Sequence, residues 1–238
     1  MAREVLRPMS SRSKRTITRF ACIGDYHGQA GRLASVIEAL ADQDFVAVLM
    51  TGDFRCGAWD DSTRIALEMV AKLGVPILFV PGNHDEPGIV HPGNVDGRGA
   101  EIGGMRIAGV GGAGPHRFGF PYEWSEDDIR ARHLPDWDIL IAHAPPFGTT
   151  LDRLRGCGEH AGSVAIRERA EAHGPGLLLC GHIHECVGVD LVGSCTCYNV
   201  GALGEPYGRA QFGLVEFASS PTPLITHVDL ESGRTWQA

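Results

Sequence analysis

"GLLLCGHIH", residues 176–184, holds the transition on which the fold assignment turns. Leu177 to Cys180 is a short, near-continuous apolar run of the kind expected for a strand covered on both faces. It breaks at Gly181 and delivers His182 and His184 one residue apart. A turn at Ile183 would be needed to aim both rings into one crevice. Read alone, the pair fits two ordinary histidines as well as it fits a metal grip.

The same pattern recurs upstream. "ITRFACIG" reads as a strand stopping at Gly24, and a helix follows with Leu33, Val36, Ile37 and Leu40 on one face. "FVAVLMTG" is a strand ending at Gly52; the next helix places Ile65, Met69 and Leu73 together and stops at Gly74. "PILFVPGNHD" and "WDILIAHAPP" supply two further strands. Alternation of strand and amphipathic helix predicts an α/β sheet with helices packed on it. Between residues 101 and 132 two short strand-like pieces precede a Gly and aromatic loop, after which Ser125 caps a short helix running through Asp128. Beyond His184 the strands shorten, at 187–192, 196–200, 212–217 and 224–230, which predicts a second, more antiparallel sheet in the same domain.

Each long apolar run ends in potential ligands: Asp25 and His27, then Asp53, then Asn83, His84 and Asp85, then His143, then His182 and His184. At the carboxyl edge of a wound sheet such residues converge despite their separation in sequence. Imidazole with carboxylate suits borderline divalent cations, namely Mn, Fe, Co, Ni or Zn, without thiolate. Asp25, His27, Asp53, Asn83, His143, His182 and His184 are too many for one cation with an open position. Two cations sharing a carboxylate would use them all.

Composition narrows the alternatives. A chain of 238 residues, 43% hydrophobic, can bury one sizeable core, and the expected organisation is an N-terminal tail over 1–16 followed by one domain over 17–238. The formal charge of −8 argues against a nucleic-acid-coating role but not against an anionic substrate held by metal. Seven cysteines, odd in number and without CxxC spacing, read as reduced thiols. No apolar run approaches the roughly 18 residues of a membrane span, and the expected location is cytoplasmic.

The blocks DYH, GD, GNHD, AHAPP and GHIH, in that order from about Ile17 to Gly201, resemble the calcineurin-like metallophosphoesterase superfamily. "HAPPFGTTLD" followed by "EHAGSVAIRE" is similar to a bacterial and archaeal branch of predicted phosphoesterases. The resemblance implies a four-layer α/β/β/α sandwich of two mixed β-sheets flanked by helices. It also implies two divalent metal ions, with Asp25, His27 and His184 on one, Asn83, His143 and His182 on the other, and Asp53 bridging. His84 would face the substrate as the catalytic group and protonate the leaving oxygen, while water activated between the metals attacks phosphorus. Asp85 stands where many relatives have Glu, and "GDFRCG" lacks the DRG continuation of the Ser/Thr protein phosphatases. The implied substrate is therefore a small phosphoester, more a diester than a phosphoprotein.

Two other readings stay open at this point: a nucleotide or polynucleotide hydrolase, and a non-catalytic scaffold on the same fold, as in the retromer subunit that resembles these enzymes. Arg55, His116, Arg117, Tyr122, Trp124 and His160 lie in loops that could border the site. Gly111, Gly112 and Gly114 read as a flexible rim, since no GK[ST] follows them.

Overall fold

A computed structural model describes residues 17–55, 61–115, 118–218 and 220–238. The expected tail over 1–16 lies outside them. Strands β1 (Thr18–Ile23), β2 (Ala47–Met50) and β3 (Ile77–Phe79) run parallel. They are extended by β10 (Gln211–Phe217), β11 (Leu224–Asp229) and β12 (Arg234–Gln237), giving a sheet of order β12-β11-β10-β1-β2-β3. The second sheet has order β4-β5-β6-β7-β9-β8, from β4 (Gly99–Ile102), β5 (Met105–Val110), β6 (Ile139–Ala142), β7 (Gly176–Cys180), β8 (Gly188–Val192) and β9 (Cys195–Asn199). Both sheets are mixed, each with six strands.

The period of two along the strands makes the layers. In β1, Phe20 and Cys22 face the second sheet, in one cluster with Leu49, Ile139, Ile141, Leu177 and Leu179. Ala21 and Ile23 point the other way, onto α1 (Ala30–Leu40) and α2 (Ser62–Val70) through Leu33, Val36, Leu40, Leu67 and Val70. On the far side Leu140, Leu178 and Cys180 meet Ile129 of α3 (Glu126–Ala131) and Ala165, Ile166 and Ala170 of α4 (Val164–His173). Helix, sheet, sheet, helix is thus the order of layers. Ser125 caps α3 as expected, its hydroxyl accepting the Asp128 N–H in a capping box.

Three expectations change. The strands after His184 do not form a sheet of their own: β8 and β9 complete the second sheet, while β10, β11 and the unexpected β12 complete the first. Short strands joined by turns report antiparallel pairing, not which sheet supplies the partner. Helix α2 buries Ser62, Ala66, Leu67 and Val70; Met69 and Leu73 pack at the edge of the same cluster as expected, while Ile65 is left 38% exposed. Gly111, Gly112 and Gly114 are not a mobile rim. A Cβ on Gly112 would stand 2.7 Å from the Tyr122 carbonyl oxygen, and one on Gly114 would stand 2.9 Å from the Trp124 ring, so the segment is packed tight.

At the end of the molecule carrying β10 and β11 runs a buried polar chain. The Tyr198 hydroxyl donates to His227 Nδ1 (2.7 Å), His227 Nε2–H donates to Gln211 Oε1 (3.1 Å), and Gln211 Nε2 donates to the Ala202 carbonyl (2.9 Å). Burial pushes the His227 pKa down to about 4, against the pull of Asp229. Because the folded value lies below the ordinary one near 6.5, the unfolded chain takes the proton first. Stability from this group is complete above about pH 6.5 and is lost as pH falls through about 4. Going from pH 7.5 to pH 5 should remove about 2 kcal/mol through His227, read as a lower urea midpoint, and His227→Gln should flatten that part of the profile. Superimposable pH profiles for the two proteins would discard the assignment.

Candidate metal centre

All five segments carrying the candidate ligands leave the carboxyl ends of parallel strands at one edge, but from two sheets rather than one. β1, β2 and β3 bring Asp25, His27, Asp53 and Asn83; β6 and β7 bring His143, His182 and His184. Hydrogen bonds across the gap hold the two edges together. His143 Nδ1–H donates to the Thr51 carbonyl (2.8 Å), the His182 N–H donates to Asp25 Oδ2 (2.6 Å), and the Gly112 N–H donates to the Pro81 carbonyl (2.9 Å).

The turns that aim these side chains are backbone conformations non-glycine residues rarely adopt. His27, Asp53 and His182 have φ of 44°, 46° and 67°, each costing on the order of 1–3 kcal/mol unless the surroundings impose it. His182 itself, not Ile183, is the turning residue: the Ile183 N–H closes on the Gly181 carbonyl at 2.8 Å, a three-residue turn centred on His182. Gly181 is required beside it, since a Cβ there would meet Asp25 Oδ1 at 2.2 Å.

Tautomers follow from the carbonyls. His27 Nδ1 faces the Arg55 carbonyl (3.0 Å), His184 Nδ1 faces the Pro206 carbonyl (3.0 Å), and His143 Nδ1 faces Thr51. A carbonyl only accepts, so each Nδ1 carries the proton and each neutral ring turns a bare Nε2 lone pair inward. The Nε2 atoms of His27 and His184 are 3.2 Å apart, and with both rings neutral no proton would lie between them. Asp53 Oδ2 lies 3.4 Å from Nε2 of both His27 and His143, and Asp25 Oδ2 lies 3.4 Å from His184 Nε2. Asn83 Oδ1 adds another acceptor 2.9 Å from His143 Nε2.

Acceptors gathered this closely need positive charge. Although burial works to lower them, the bond and charge of Asp53 push His27 up to about 9, and the charges of Asp53 and Asp25 do the same for His143. A divalent cation satisfies the same lone pairs without doubly protonating any ring, so the donor set fits metal. Two groups emerge, Asp25, His27, Asp53 and His184 in one and Asp53, His143 and His182 in the other, with Asp53 common to both.

Over this edge opens a cavity of about 490 Å³. His84 stands in its wall, its backbone N–H donating to Asp53 Oδ1 (2.9 Å) and its ring packed against Phe120 (4.4 Å between centroids). Burial lowers the His84 pKa while Asp53 works to raise it. Asp85 turns away from the cluster and accepts the N–H groups of Gly82, Phe54 and Arg55, tying the GNHD and GDF turns together.

The loop residues fare differently. Arg55 is buried against Glu86, Tyr122 donates to Asp96, Trp124 donates to the Gly111 carbonyl, and His160 pairs with Asp152; none lines the cavity. His116 and Arg117 lie outside the described residues. Phe120, Leu154, Glu205 and Pro206 do line it. Their segments carry no ligand pattern, and only the tertiary fold brings them to the strand ends.

Two stacked mixed sheets with a carboxylate and imidazole cluster on their common edge define a class of metal-dependent hydrolase fold. The chain belongs to the calcineurin-like phosphoesterase family, whose sequence pattern matches residues 18–186, and it is accordingly a hydrolase acting on phosphoesters. The uncharacterized protein MJ1162 of Methanocaldococcus jannaschii is 29% identical over 178 residues, 66% of this chain and 78% of that one. In fold, the chain is similar to TT1561 of Thermus thermophilus (TM-score 0.61, 18% identity, 94% and 99% of the two chains). It is also similar to Yfce, a phosphoesterase from E. coli (TM-score 0.51, 15% identity, 93% and 98%). Among the described residues no helix is long and apolar enough to cross a membrane.

Proposed function

We propose that the chain hydrolyses a small phosphoester, a diester in preference to a phosphoprotein, at a dinuclear metal site. The observation that supports this reading is the pair of donor groups meeting at Asp53. Asp25, His27 and His184 would hold one divalent cation, Asn83, His143 and His182 the other, and Asp53 both. When bound, the cations would polarise the phosphoryl oxygens and lower the pKa of water at neutral pH.

The remaining chemistry falls to the chain's own side chains. Carbonyls of Thr51, Arg55 and Pro206 fix the tautomers, so that the Nε2 atoms of His143, His27 and His184 stay donors of electrons to metal rather than of protons. His84, reaching into the cavity beside Phe120, donates its N–H to a phosphoryl oxygen. A bound phosphate's negative charge favours its protonated form, from which it passes a proton to the leaving oxygen. Phe120 and Leu154 keep water off one side of that exchange.

The test is hydrolysis of bis-p-nitrophenyl phosphate with Mn added, followed by EDTA. Turnover should need the metal, and absence of metal-dependent turnover on any phosphoester would favour a binding scaffold instead. His84→Ala should retain bound metal while kcat falls by roughly 10² to 10⁴; unchanged kcat would remove His84 from the reaction.

A further inference from the structure

Beside the main cavity, and sharing His184 and Glu185 with it, lies a second cavity of about 310 Å³. The 205–207 segment divides them: Glu205 and Pro206 face the first, and Tyr207 faces the second. Three arginines line this second space, Arg155, Arg209 and Arg234. Three arginines against the two carboxylates Glu185 and Asp229 leave a surplus of one positive charge there, on a chain whose formal charge is −8.

Two carboxylates, Glu185 and Asp229, line the same space and offset part of this charge. Asp229 pairs with Arg209 at 3.4 Å and also accepts the Ser232 hydroxyl and the N–H groups of Glu231 and Ser232. Glu185 accepts the Arg155 backbone N–H at 3.1 Å. Arg155 lies over the Tyr207 ring, 4.9 Å from its centroid, a contact that does not neutralise the guanidinium. Among the described residues neither the Arg155 nor the Arg234 side chain has a carboxylate partner. Tyr207 is kept in place by a left-handed backbone, φ 69°, next to the carbonyl that fixes His184.

A planar guanidinium with free N–H forks is the side chain best matched to a phosphoryl group. We infer that this cavity binds a second phosphoryl group of the same small substrate, whose scissile phosphoester sits over the strand-end cluster. The inference rests on the proposed hydrolysis at that cluster. It narrows the substrate class to small molecules carrying two separate phosphoryl groups, as in nucleoside bisphosphates and dinucleotides.

Calorimetric titration of the full chain with thymidine 5′-monophosphate and with thymidine 3′,5′-bisphosphate, each in Mn and after EDTA, separates the two claims. In Mn the bisphosphate should bind at least roughly tenfold more tightly, as a charge-assisted contact provides. Arg234→Ala and Arg155→Ala, checked for unchanged melting, should each bring the ratio of the two constants toward one. A bisphosphate advantage below about threefold, or one that both variants keep, overturns the second subsite. Failure of Mn to strengthen the binding of either ligand overturns the metal-site reading instead.

Discussion

Asp53→Asn should leave a folded chain that no longer retains a full metal complement and turns over bis-p-nitrophenyl phosphate at least about 10³-fold more slowly. The two oxygens of Asp53 do different work. Oδ1 accepts the His84 N–H at 2.9 Å, a contact that an amide oxygen can keep. Oδ2 lies 3.4 Å from Nε2 of both His27 and His143, where an amide would place an NH₂ donor in the position of a candidate metal-binding oxygen. Metal content after dialysis, measured by atomic emission, should fall relative to wild type, and Mn should raise the melting temperature of wild type far more than that of the variant. A variant with full metal and full turnover would refute the shared ligand.

Gly181→Ala should be nearly as damaging although no ligand is changed. Its Cβ would stand 2.2 Å from Asp25 Oδ1 and 2.6 Å from Thr51 Oγ1, and Thr51 already donates to Asp25 at 2.9 Å. Neither neighbour can swing aside, since Asp25 is wholly buried and also accepts the His182 N–H. The strand end must therefore move, taking His182 and His184 with it. Overpacking of this kind costs about 1–3 kcal/mol, and displacing reacting groups by an ångström costs turnover on the order of 10²-fold. Gly31→Ala is the control. Nothing lies within 4 Å of a Cβ there, and in α1 alanine should hold or slightly raise the melting temperature. Equal behaviour of the two variants would show that Gly181 does not set the site.

What can be read in advance follows from what periodicity records. The buried faces of β1, β2, β6 and β7 and the α1 stripe are apolar because each is covered on a known side, so they are visible as runs and repeats. Helix α2 follows that reading only in part: Met69 and Leu73 pack at the edge of the core, but the buried positions, Ser62, Ala66, Leu67 and Val70, lie one step round the helix, and two of them are not apolar enough, or large enough, to mark a stripe. Arg55, Tyr122, Trp124 and His160 have the side chains of a phosphate site. Each is instead occupied by a local partner that no sequence pattern announces.

Residues read in order are enough to establish the alternation of strand and helix, the five turns with candidate ligands at the strand ends, and the chemistry those residue types suit. These are local properties, written in neighbouring residues. Folding alone settles that the five turns come from two sheets facing one another, that His182 rather than Ile183 makes the turn, and that Thr51, Arg55 and Pro206 carbonyls turn the imidazole lone pairs inward. It also settles that Arg155, Arg209 and Arg234 line one cavity beside them. The reason is physical: pairing of strands and orientation of rings depend on partners far away in the chain, and those distances are closed only when the sheets assemble.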